Sequence, residues 1–145
     1  MKSLLVISVL AAAIFMFSRC STNAATNMKD LDENMLDMMM YHDNLGLYLR
    51  KDDADYALWL LNGMDSSLQV IASKFTTHRK LADSFEKGYR KKLKPPIRGI
   101  RSALQKNDIP KAIEQYRLLT RKCNGCHIDN DIDKEVVDRT RDEGH

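Results

Sequence analysis

A chain of 145 residues carries one domain with a core of its own and is too short for two comfortable ones. Its 23 basic and 20 acidic side chains leave a formal charge of +3, an excess too small to call for a nucleic-acid partner. Of its three cysteines, two lie three residues apart beside a histidine and the third sits near the N-terminus, a pattern that argues against a disulfide framework.

The chain begins with Met1-Lys2 and an apolar run from Leu4 to Phe17, broken only by Ser8. That is the charged start and apolar middle of a signal peptide, shorter than the roughly 20 residues a spanning helix needs. Residues 1–25 are therefore read as an export signal. Cleavage has two readings. The small residues Thr22-Asn23-Ala24-Ala25 suit an ordinary signal peptidase, whereas Cys20, just past the apolar run, suits a lipid-anchored N-terminus despite Arg19 before it. Either removes Lys2 and Arg19 and leaves 21 basic against 20 acidic groups. Their distribution is uneven: residues 29–65 and the tail from Ile128 are acidic, residues 74–122 strongly basic. Such asymmetry steers a charged partner or marks solvated faces that complement each other inside a bundle.

Residues 26–128 read as helix after helix, without strand-like alternation. The first helix is expected from about Met28 to Lys51, with Leu31, Met35, Met38, His42, Leu45 and Leu49 on one stripe. His42 is the one polar member of that stripe. Thr26 or Asn27 is placed to cap it, and Asp30, Asp32 and Glu33 favour its positive end. After a turn at Lys51-Asp52-Asp53, a second helix carries Ala57, Leu61, Met64, Leu68, Ile71 and Phe75, with Leu58, Trp59 and Leu60 widening its apolar face. From Thr76 to Pro96 the pattern loosens into a longer connection with partial helix, ended by Pro95-Pro96. The basic cluster from Tyr89 to Lys94 within it reads as an exposed loop or helix face. A third helix with Ile97, Ile100, Ala103 and Leu104 ends near Asn107. Asp108 caps a fourth, in which Ala112, Tyr116, Leu119, Cys123 and Cys126 share a face and Pro110 sits in the first turn. Residues 129–145 form a polar, acidic tail with room for a short helix around Val136-Val137. The expected fold is all-α, an antiparallel four-helix bundle.

The chemistry concentrates in Cys123-Asn124-Gly125-Cys126-His127. Cys-x-x-Cys-His is the spacing at which two thiols form thioethers to one haem and the adjacent imidazole binds its iron. The rivals fit less well. A structural zinc site needs two more ligands, and the chain has no second cysteine pair. A thioredoxin-type motif needs an α/β setting. A calcium loop starting at Asp129 fails because Lys134 stands where glycine is required. One covalent haem c, held by Cys123, Cys126 and His127, is the expected cofactor.

Only eighteen residues follow His127 and none is methionine, so a distal ligand must come from upstream. A haem motif closing the last helix of a bundle resembles the class II c-type cytochromes, the cytochrome c-prime type. Short exported single-haem proteins of that architecture are similar to this chain at Ala112, at Tyr116 to Thr120 leading into the motif, and at His42-Asp43-Asn44-Leu45 in the first helix. The sequence departs from the class after the motif, where Ile128-Asp129-Asn130-Asp131 replaces an aromatic and a basic residue, so a more open and acidic proximal pocket is expected. The resemblance implies that a first-helix residue lines or ligates the distal face. His42 is the first candidate and Met38 the second, with Met35, Met39, Tyr116 and Leu119 in the haem pocket. It also allows a homodimer formed through the first two helices.

The expected function is periplasmic electron transfer with redox-protein partners, and membrane association only through a lipid anchor at Cys20. Binding of nitric oxide or carbon monoxide at a five-coordinate iron is the alternative, and a helical interaction protein without haem a third. No paired carboxylates or nucleophile constellation suggest an enzyme.

Overall fold

A computed structural model of the chain describes residues 31–76, 81 and 83–141. The export segment with Cys20, and the expected cap of the first helix, lie outside these residues. The described regular structure is entirely helical: α1 (Leu31–Arg50), α2 (Ala54–Lys74), α3 (Phe85–Gly88), a π-helical turn (Tyr89–Leu93), α4 (Lys94–Leu104) and α5 (Ile109–Asp129).

The stripe of α1 is inward-facing: Leu31, Met38, His42, Leu45 and Leu49 are all buried. On α2 the buried set includes Ala57, Leu61, Met64, Leu68 and Ile71. Trp59 departs from expectation. It lies two residues from Ala57 and from Leu61, hence on the opposite side of a 3.6-residue helix, and is 59% exposed. There it stacks on Tyr56, which in turn packs against Tyr48 of α1.

Two turns use the same device. Asp52 and Asn107 adopt left-handed backbone, with φ of 61° and 54°, and each is followed by an aspartate that caps the next helix. The Asp53 and Asp108 carboxylates accept the backbone N–H groups of Tyr56 and Lys111, both at 3.0 Å.

The stretch expected to be a loose connection is helical from Phe85 to Leu104, through the π turn. Pro95 and Pro96 do not break it because they occupy the first turn of α4. The preceding turn is already closed by the π-type bond from the Lys94 N–H to the Tyr89 carbonyl. The Tyr89 hydroxyl donates to Asp65 of α2 at 2.8 Å, and Arg101 reaches the other carboxylate oxygen at 2.9 Å. Burial and then that carboxylate push the Tyr89 phenol up to about 12.

Packing is closest between α1 and α2 and between α4 and α5, and lighter between α1 and α5. The core joins Leu45, Leu61, Ile97, Ile100 and Tyr116, each essentially without exposed surface. Full burial of each aliphatic side chain is worth about 1.5–3 kcal/mol. Gly46 is needed for this packing, because a Cβ there would stand 2.5 Å from the Tyr116 hydroxyl oxygen and 2.8 Å from Cβ of Arg139.

Residues 130–141 contain no helix, so the short one expected around Val136 is not formed. They run as a strap along α5 and α1. Asn124 and Val136 exchange two hydrogen bonds, the Arg117 guanidinium donates to Thr140, and Arg139 pairs with Asp43 at 3.0 Å. Side-chain amides and guanidinium groups here take the place of helical backbone bonds.

Candidate functional site

The light seam between α1 and α5 opens into a cavity of about 620 Å³, within the roughly 300–1,000 Å³ range of small-molecule and cofactor sites. Met35, Met38, Met39 and His42 of α1 line it, with Met64 and Leu68 of α2 and Leu119, Cys123 and His127 of α5. The strap closes one side from Asn130 to Val136. Carboxylates of Asp32, Asp131, Asp133 and Glu135 stand around it against the single cation of Lys134. The acidic character expected of the segment after the motif is thus brought to the cavity itself.

The backbone of α5 aligns the motif. Cys123, Cys126 and His127 fall on its last two turns. Cys123 and His127, four residues apart, share a face, whereas Cys126 is turned to the flank and departs from the single face expected of all three. Both cysteines are half-buried free thiols. Cys123 and His127 line the large cavity, whereas Cys126 lines a second cavity of about 180 Å³ beside the π turn. There Lys92 pairs with Asp129 at 2.7 Å, fastening the π turn to the end of α5. Burial pushes the Cys123 thiol up to about 12 and that of Cys126 upward as well. Both shifts run opposite to the lowered thiol of a thiol–disulfide exchange motif. Among the described residues, no three His, Cys, Asp or Glu side chains gather as a metal-ion site.

His127 is oriented by the strap. Its Nδ1 lies 2.6 Å from the Lys134 carbonyl oxygen. A carbonyl only accepts, so Nδ1 carries a proton, and in the neutral ring the lone pair lies on Nε2. This is the arrangement in which imidazoles bind metals, with the second nitrogen donating to a backbone carbonyl.

His42 is held differently. It is 2% exposed, stacked on Tyr116 at 4.6 Å between ring centroids, with Nε2 2.9 Å from Thr120 Oγ1 and Nδ1 3.2 Å from the Tyr116 hydroxyl. Thr120 spends its own proton on the Tyr116 carbonyl at 3.0 Å. The hydroxyl therefore accepts from His42 Nε2, while Nδ1 faces both the Tyr116 hydroxyl and, at 3.4 Å, the Asp43 carboxylate, whose pKa the contact lowers. Tyr116 stands behind His42 and is not part of the cavity wall. Its phenol is pushed well above the ordinary range, first by burial.

The His42–Thr120 contact also fixes the register of α1 against α5. The cavity is lined by α1 residues before His42 and by α5 residues after Leu119, so the two helices run in opposite directions. Seven residues on from Thr120 is His127, and seven back from His42 is Met35. At 1.5 Å per residue both lie about 10.5 Å from the contact, on one level across the cavity.

Sequence reasoning missed Met64 and Leu68 as lining residues, although both lie on the α2 stripe where a partner cavity could have been sought. It also missed Asn124 and Lys134, whose contacts come from a tail without periodicity. Among the described residues no helix is long and apolar enough to cross a membrane. Comparison with protein-family models, with curated proteins and with solved structures returned no match.

Proposed function

We propose that this chain is an exported c-type cytochrome that carries one covalent haem in an antiparallel four-helix bundle and transfers electrons in the periplasm. The observation that carries the reading is one face of a cavity. Cys123 and His127 both line about 620 Å³ of largely apolar space, and Nδ1 of His127 donates to the Lys134 carbonyl, which in the neutral ring puts the lone pair on Nε2. The four helices of the bundle are α1, α2, the run 85–104 and α5.

In this reading Cys123 and Cys126 hold the haem and His127 binds its iron from the proximal side. The haem supplies the redox centre; the protein fixes it and keeps water away. Met35 is the favoured residue for the far side, because it is level with His127 and lines the same cavity. Met38, one turn further in, is the next candidate. His42 would reach an iron only by giving up its bond to Thr120. Its protonated Nε2 suits a wall residue that ties α1 to α5. Redox proteins of the periplasm are the implied partners, and a lipid at Cys20 the implied membrane contact.

The tethering of His42 also favours a second reading. Should no methionine bind, the iron keeps an open position and the protein binds nitric oxide or carbon monoxide. Expression with a cytochrome c maturation system tests both. The chain is expected to gain the mass of one haem, lost in Cys123→Ala/Cys126→Ala; an unmodified wild type ends the cytochrome reading. A reduced, low-spin spectrum unmoved by carbon monoxide supports electron transfer, and high-spin iron that binds it supports the gas reading.

A further inference from the structure

We propose that Asn124, the first of the two residues between the cysteines, is a positioning residue that acts through the strap to set the His127 imidazole. Its side-chain amide is used in both directions. Nδ2 donates to the Val136 carbonyl at 2.9 Å, and Oδ1 accepts the Val136 N–H at 2.7 Å. An asparagine amide paired in this way mimics a neighbouring strand and fixes both the height and the rotation of the backbone it grips. Two residues earlier on the same strap, the Lys134 carbonyl meets His127 Nδ1 at 2.6 Å. Asn124 and His127 are three residues apart on α5 and so face the strap together.

The strap is stapled again beyond this point. The guanidinium of Arg117 donates to Thr140 at 3.1 Å, and that of Arg139 to Asp43 at 3.1 Å. Between the Asn124 clamp and the end of α5 the backbone has little freedom, and the carbonyl of Lys134 is delivered to one nitrogen of one histidine. A carbonyl accepting from Nδ1 makes the imidazole a more basic donor at Nε2, and such outer partners commonly change ligand affinity by roughly 10–100-fold. Asparagine is thus used inside the motif for its paired donor and acceptor.

The inference rests on the cytochrome reading only for what His127 holds, and the readouts keep the two apart. The full mature chain is compared with Asn124→Ala and with Val136→Pro, which removes the same amide donor from outside the motif. Hydrogen exchange at residues 132–138 is expected to quicken about tenfold in both, the effect of losing one or two hydrogen bonds. In a haem-loaded chain the midpoint potential is expected to rise, because a less basic imidazole stabilises ferric iron less. In a chain whose mass shows no haem, nitrogen NMR is expected to show His127 changing from a single Nδ1–H tautomer to a mixture. Quickened exchange with an unmoved potential, or with an unmoved tautomer where there is no haem, would overturn the proposal. So would unchanged exchange in either variant.

Discussion

The hydroxyl of Thr120 lies 2.9 Å from Nε2 of His42 and joins α5 to α1 through a buried bond. With the Tyr116 hydroxyl on the other nitrogen, the ring has both hydrogen-bonding positions filled inside the core. Thr120→Val removes the acceptor and leaves a buried N–H unsatisfied, at a cost of about 1–3 kcal/mol. Urea unfolding followed by circular dichroism measures it as a lower midpoint with unchanged slope. A midpoint equal to wild type would mean that the contact contributes nothing to stability.

The same bond separates the candidate distal residues. If Met35 rather than His42 faces the iron, Met35→Ala turns a low-spin haem into a high-spin one that binds carbon monoxide. His42→Ala should then leave the low-spin spectrum in place while lowering stability by about 2–5 kcal/mol through the cavity and the orphaned hydroxyls. The absorption spectra of the two variants, with and without carbon monoxide, decide it. The reverse pattern would return the ligand role to His42.

The stripe of α1 and the caps at Asp53 and Asp108 were legible in the sequence because each follows from local rules: periodicity of apolar residues, and an aspartate ahead of three unpaired amides. The motif was legible for the same reason, since its spacing along one helix is its geometry. What escaped was long-range. Pro95-Pro96 read as a break, yet the π turn before them had already shifted the bonding pattern so that neither missing N–H was needed. The strap carries no periodicity at all, and its fixed path rests on single pairs such as Asn124 with Val136 that no local pattern announces. His42 stood out as the polar residue in an apolar stripe. Two of its partners, Thr120 and Tyr116, are more than seventy residues away, and Thr120 is what makes Nε2 a donor.

Gly46 gives a prediction about packing with no bearing on any cofactor. Alanine is the better helix former by about 1 kcal/mol, so on α1 alone the exchange would stabilise. The added Cβ, however, would fall 2.5 Å from the Tyr116 hydroxyl oxygen and 2.8 Å from Arg139 Cβ, a clash on both the helix and the strap side. Gly46→Ala is therefore expected to lower stability by about 1–3 kcal/mol net, the ordinary cost of overpacking. Thermal unfolding checks the sign. A higher melting temperature would show that Tyr116 and the strap give way freely.

Asp138 makes the hold of the strap depend on pH. Burial raises its carboxyl, but the Thr140 hydroxyl and N–H and the nearby Arg117 and Arg141 guanidinium groups outweigh that and hold it below the ordinary 3.8. The oxygens involved lie 2.6 Å from Thr140 Oγ1, 3.0 Å from Arg141 and 3.4 Å from Arg117. A carboxyl with a lowered folded value contributes stability that is present in full above its unfolded value and lost as pH falls through the folded one. The strap amides are therefore expected to keep constant protection from neutral pH down to about 4, and to lose it below. Asp138→Asn should show weaker protection already at neutral pH and a flatter response to acid. Hydrogen exchange of residues 132–141 at a series of pH values, corrected for the intrinsic rate, measures both. Equal acid responses in the variant and the wild type would move the origin of the effect to another carboxylate.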